Sequence, residues 1–258
     1  RAMRIRILLA IGAGFAMLSI ASLANAVKPE DNQATREKGK QIYDRACLLC
    51  HGVEGKGDGP AGWFIGRYEG PRPRNFSGGS YKFRSTPSGE LPMDQDLFRT
   101  VTQGIPGNMP PYSGLSEEER WQVIAYIKTL NPAFKGAKPT ALPLPNPPGP
   151  PSDAGIENGR KTYIKYGCQN CHGDNGYGDG KEALDGNLKD TYGLMISPGD
   201  LTERASLKNG SSAQALYRSI MTGLDGTPMP SYADTIGGND KDVWDLVYYI
   251  LSLSQERQ

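Results

Sequence analysis

Two histidines and four cysteines are all that 258 residues offer as strong transition-metal ligands. So small a stock excludes a histidine-rich metal centre and a disulfide-dense scaffold. Charge of one sign is missing too. The net charge is +1, which gives no basic field for nucleic acid. Beyond Leu23, no apolar run approaches the length that spans a bilayer. Hydrophobic residues make up only 37%, against 33 glycines and 20 prolines. That composition suits small, loop-rich domains with modest cores, and the length allows one large domain or two small ones.

The scarce residues are concentrated. Cys47-Leu48-Leu49-Cys50-His51 and Cys168-Gln169-Asn170-Cys171-His172 use every cysteine and every histidine in the chain. Cys-x-x-Cys-His is the attachment sequence of c-type haem: two thiols add to the porphyrin vinyl groups and the adjacent imidazole supplies one axial nitrogen. A single copy could equally be a redox dithiol, a disulfide or half a zinc site. Two copies that exhaust the ligands favour two covalently attached haem c groups. A buried porphyrin would also supply apolar volume that the sequence lacks.

Residues 1–26 read as a secretory leader. Arg1, Arg4 and Arg6 precede an apolar run from Ile7 to Leu23, and Ala24-Asn25-Ala26 has the form of a cleavage site. Cleavage before Val27 is expected. The alternative is an uncleaved anchor, with residues 7–23 holding the chain to the membrane. Both predict an exported protein, periplasmic or anchored on the periplasmic face.

The rest divides into two copies. Residues 35–131 are predicted as one domain and 155–254 as a second. Between them, 132–151 form a linker with eight prolines in twenty residues, expected to be extended and semi-rigid. In the first copy, residues 35–46 are predicted as a helix with Gly39 and Tyr43 on one face. A glycine loop follows the haem motif. Asp94 is expected to cap a helix carrying Leu97, Phe98 and Val101, and Ser116 with Glu119 forms a capping box for a last helix with Val123, Ile124, Ile127 and Leu130 buried. Arg72, Arg74, Tyr81, Lys82, Arg84 and Thr86 lie in an irregular stretch, 71–92. It reads either as a solvated loop or as the source of groups that satisfy haem propionates. The second copy repeats the order: Gly159 and Tyr163, the motif, glycines, Leu216 to Ile220, a Met-Pro loop, and a helix with Trp244. The offset is 121 residues at the cysteines and 120 at the methionines.

With no third histidine, ligation of an iron by two imidazoles from this chain is excluded. A thioether is the natural sixth ligand. Met109 and Met229 each lie in a Gly/Pro loop, just before a proline and three residues before a tyrosine, at matching places in their repeats. They are the predicted partners of His51 and His172; the alternative is a buried methionine beside an open or Lys-ligated iron. Met93 and Met195 are isolated, and Met221 reads as a packing residue on a helix.

On these motifs the chain resembles a dihaem c-type cytochrome made of two class I cytochrome c domains. The resemblance implies a mainly α fold: two small helical bundles around haem, with the first and last helices of each crossing at the Gly/aromatic positions. It also implies that a proline after the haem motif holds the axial histidine through its carbonyl. Pro60 matches, whereas Lys181 stands in that place in the second copy, which predicts haems of unequal potential. Residues 81–86 (YKFRST) resemble subunits that exchange electrons with larger respiratory complexes. The expected function is passage of single electrons between redox protein partners or a membrane respiratory complex, without catalysis. A dihaem peroxidase or oxidoreductase with one open iron is the alternative.

Overall fold

The computed structural model describes residues 28–65, 70–78, 80–236 and 238–254. The leader expected over 1–26 lies outside the described residues. The described chain is helical: two isolated β-bridges, Ile105 with Met109 and Lys189 with Met195, are its only ladder pairings. None of its helices is long and apolar enough to cross a membrane.

The first half contains α1 (Gln33–Ala46), α2 (Leu48–His51), α3 (Pro60–Ile65), α4 (Asp94–Gln103) and α5 (Glu117–Thr129). The second contains α6 (Asp153–Lys165), α7 (Gln169–His172), α8 (Lys181–Leu184), α9 (Ala213–Thr222), α10 (Ala233–Ile236) and α11 (Asp240–Leu253). In each half the first long helix crosses the last, α1 on α5 and α6 on α11.

The crossing explains the paired glycines. A Cβ on Gly39 would sit 1.9 Å from the Gln122 carbonyl oxygen, and one on Gly159 would sit 2.0 Å from that of Asp245. Only a residue without a side chain admits such approach. One turn on, Tyr43 meets Tyr126 edge to face at 5.2 Å and Tyr163 meets Tyr249 at 5.4 Å. Each tyrosine hydroxyl then reaches back to the haem motif, donating at 2.7 Å to the carbonyl of Gly52 or Gly173. The crossing therefore fixes the motif as well as the helices.

Separate cores form behind each crossing. One gathers Ile42, Leu97, Val101, Trp121, Val123, Ile124 and Ile127; the other gathers Leu216, Ile220, Met221, Trp244, Leu246, Val247 and Ile250. Met221 is thus a packing residue. The Ser116–Glu119 capping box forms as expected, with reciprocal bonds of 3.1 and 2.9 Å. Asp94 does not cap α4. It is the first helical residue, and the carboxylate that closes the helix start is Asp96, which accepts from the Met93 amide at 3.0 Å and from Ser85. Asp94 is drawn instead to Lys128 and Lys28.

The linker begins as a short 3₁₀ turn, Pro132–Phe134, packed on α5. It then runs without regular structure against the protein. Leu142 and Leu144 pack on the second core, and the Leu142 amide donates to the Ser85 carbonyl at 2.8 Å. The halves also touch directly. Arg84, fully buried, donates to the Thr222 carbonyl at 2.6 Å and to Asp225 at 2.8 Å.

Candidate functional site

Among the described residues each half holds a large cavity, lined by the motif and the loop methionine of its own half. Cys47, Cys50, His51 and Met109 line the first, which opens to the surface and spans about 1340 Å³ with the solvent at its mouth included. Cys168, Cys171, His172 and Met229 line the second, of about 1820 Å³. All four cysteines are free thiols.

The histidines are held alike. The Nδ1–H of His51 donates to the Arg74 carbonyl at 3.1 Å, and that of His172 donates to the Gly199 carbonyl at 3.0 Å. Burial disfavours protonation of both imidazoles, and pushes His51 down to about 4. A neutral ring whose Nδ1 is already committed presents Nε2 as its lone-pair donor, the state a metal ligand needs. Phe76 stacks on the His51 ring with centroids 4.5 Å apart.

The expected role of Pro60 is therefore corrected. Pro60 opens α3, and its carbonyl is not the one that holds His51. A five-residue element that sequence reasoning missed does this in both halves: Pro73-Arg74-Asn75-Phe76-Ser77 and Pro198-Gly199-Asp200-Leu201-Thr202. Asn75 and Asp200 fold each stretch by accepting from the amide and hydroxyl two residues on, at 2.6 to 2.9 Å. The next apolar residue ties the stretch to the glycine loop, through Phe76 N–H to Gly55 O at 2.6 Å and Leu201 N–H to Gly176 O at 2.7 Å. The contact that Lys181 put in doubt for the second half is present, supplied by Gly199, so Lys181 does not make the halves unequal in this respect.

The methionine loops are matched hairpins. Ile105 N–H donates to Met109 O at 2.8 Å and Leu224 N–H to Met229 O at 3.1 Å; Tyr112 and Tyr232 amides bond back to α4 and α9 at 3.0 Å. Both loops leave their helix through a glycine of positive φ, Gly104 at 69° and Gly223 at 65°, where a side chain would also strike the loop backbone. The Tyr112 hydroxyl pins its loop to the Ala46 carbonyl at 2.6 Å, next to Cys47. Met195, 51% exposed, has no such setting.

Stretch 71–92 is solvated only in part: residues 87–90 are exposed, but its central polar side chains are not. Tyr81, Lys82, Arg84 and Thr86 are all buried. Arg84 and Thr86 bond within the protein, Thr86 to the Leu91 carbonyl at 2.9 Å. The remaining polar candidates of this stretch, Arg72, Arg74, Tyr81 and Lys82, line the first cavity.

The residues fit a haem in each cavity: two free thiols, a neutral imidazole and a thioether line one space in each half. The cytochrome c family profile matches this chain twice, over 36–131 and 156–254. A solved chain of the Kuenenia stuttgartiensis reducing HAO-like protein complex Kustc0457/Kustc0458 is similar to this one. It is 40% identical, with a TM-score of 0.77, over 84% of this chain and 96% of that one. The chain belongs to the cytochrome c family.

Proposed function

We propose that this protein is a dihaem electron-transfer protein, with haem c attached at Cys47/Cys50 and at Cys168/Cys171 and axial pairs His51/Met109 and His172/Met229. The supporting observation is that each cavity draws all four groups from its own half of the chain. Bound there, haem c supplies an iron that cycles between the ferrous and ferric states. The protein's part is to hold both axial groups so that neither state needs rearrangement. The Arg74 and Gly199 carbonyls orient the imidazoles and raise their basicity. The glycine-hinged hairpins carry the sulfurs, and the apolar walls exclude water. If these histidines and methionines hold both axial positions of a bound haem, no substrate would reach the iron, which favours an electron carrier over a peroxidase.

The solved relative comes from a reducing HAO-like protein complex, and the proposal extends to a similar place here: the small cytochrome subunit of an oxidoreductase complex. Export to the periplasmic side is part of the proposal, on the strength of the 1–26 leader. The test is haem quantitation and absorption spectroscopy on the purified holoprotein. Two covalent haems per chain, both low-spin with sulfur-to-iron charge-transfer absorption when ferric, are expected. High-spin iron, or carbon monoxide bound by the reduced protein at either haem, would overturn the two-carrier assignment.

A further inference from the structure

The two cavities share a wall. Lys82, Phe83 and Lys208 line both of them, although Lys82 comes from the first half and Lys208 from the second. Lys82 is only 9% exposed. Among the described residues no hydrogen bond or ion pair engages its ammonium. Its electrostatic neighbours are mostly of like sign: Arg74 and Lys208 repel it, and Asp190 alone attracts it. Burial and these two cations push it down to about 7. A buried ammonium such as that of Lys82 is costly unless an anion meets it. Nothing in the packing calls for an ammonium here, since a Leu or Met would fill the same wall without that cost.

Haem carries its own anions, two propionate carboxylates on one edge. Resting on the dihaem assignment above, we propose that Lys82 and Lys208 form one propionate site shared by both haems, accepting a carboxylate from each cavity and joining the two haem edges through a common pair of ammoniums. Arg74 lines the first cavity alone and serves that haem only. Charge-assisted bonds in a buried wall are strong and little screened by salt. A cation at this wall opposes the extra positive charge of ferric iron in both cavities, so it raises both reduction potentials together.

The test is a potentiometric titration of the holoprotein with the two haems resolved, comparing wild type with Lys82→Gln, Lys208→Gln and Lys82→Arg. Loss of either lysine is expected to lower both potentials, by up to about tenfold in each ferric–ferrous equilibrium, or ~59 mV for a one-electron couple. Lys82→Arg, which keeps the charge, is expected to restore most of the shift. Lys138→Gln, an exposed linker change, controls for net charge. A drop confined to one haem, or no drop beyond the control, would overturn the shared site. Haem content is measured on the same samples. Fewer than two haems in wild type would overturn the dihaem assignment itself, whereas two haems with unmoved potentials would overturn only the shared site.

Discussion

Arg84 and Asp225 form a buried ion pair across the junction of the two halves, with Nη2 to Oδ1 at 2.8 Å and side-chain exposures of 0% and 12%. Asp225 also accepts from the Ser88 hydroxyl at 2.7 Å and the Gly89 amide at 2.8 Å, so one carboxylate collects three donors from the first half. Arg84 spends its other donors on the Tyr81, Pro87 and Thr222 carbonyls. Both members are needed. Asp225→Ala leaves a buried guanidinium without its counter-charge, a change that costs about 3 kcal/mol or more. Denaturant unfolding of the holoprotein should therefore show a lower midpoint. A single cooperative transition should split into two as the halves uncouple. An unchanged single transition would show that the linker and the remaining contacts suffice.

The helix crossings give a second expectation. Gly39→Ala drives a methyl group into the Gln122 carbonyl, and Gly159→Ala drives one into that of Asp245. Backbone cannot step aside cheaply, so each is expected to lose about 1 to 3 kcal/mol. Gly114→Ala meets nothing within 4 Å and should be neutral. Because Tyr43 and Tyr163 link the crossings to Gly52 and Gly173, the damaging changes should also lower covalent haem content on expression. Thermal melts and haem-to-protein ratios check both.

Local rules account for much of what the sequence revealed. The haem motifs, the Gly/Tyr crossing pairs, the Ser116–Glu119 box and the loop methionines are short patterns repeated at a nearly constant offset. The histidine-holding carbonyls escaped because they break that register. His51 reaches 23 residues forward to Arg74, and His172 reaches 27 forward to Gly199. A backbone carbonyl also leaves no residue type to recognise. The pattern Pro-x-Asx-apolar-Ser/Thr was the available signal, and it was masked by the closer match at Pro60. Asp94 was misplaced by one residue because Asp94 and Asp96 both suit a helix start, and tertiary partners decided between them: Lys128 took Asp94 and left the closing bond to Asp96. The burial of Lys82 and Arg84 had no local sign, since it arises where the two halves meet.

Replacing one loop methionine should identify its haem. Met109→Leu keeps the volume and removes the sulfur's usefulness as a ligand. It is expected to abolish the sulfur-to-iron charge-transfer absorption of one haem, open that iron to carbon monoxide, and lower that haem's potential, since thioether ligation raises it. Met229→Leu should do the same to the other haem. Met195→Leu, at an exposed site, should change neither. If either loop variant keeps a wild-type spectrum, that methionine is not an axial ligand.

Acid should loosen the first methionine hairpin through Asp94. Burial alone would raise the pKa of this carboxyl, but the Lys128 and Lys28 ammoniums outweigh it and hold it below the ordinary aspartate range. A carboxyl depressed in the folded state stabilises it fully above the unfolded value, about 4, and loses that contribution as pH falls through the lower folded value. Asp94 opens α4, the helix from which Gly104 launches the Met109 hairpin, so this loss falls on the helix that carries that hairpin. The corresponding helix α9 is capped by the Ser212 hydroxyl, which does not titrate. Asp94→Asn should therefore cost about 1 kcal/mol at neutral pH, with the difference from wild type fading as pH drops below about 4. Stability curves at several pH values test the sign: a difference that grows in acid would show that the pairing with Lys128 and Lys28 does not stabilise the fold.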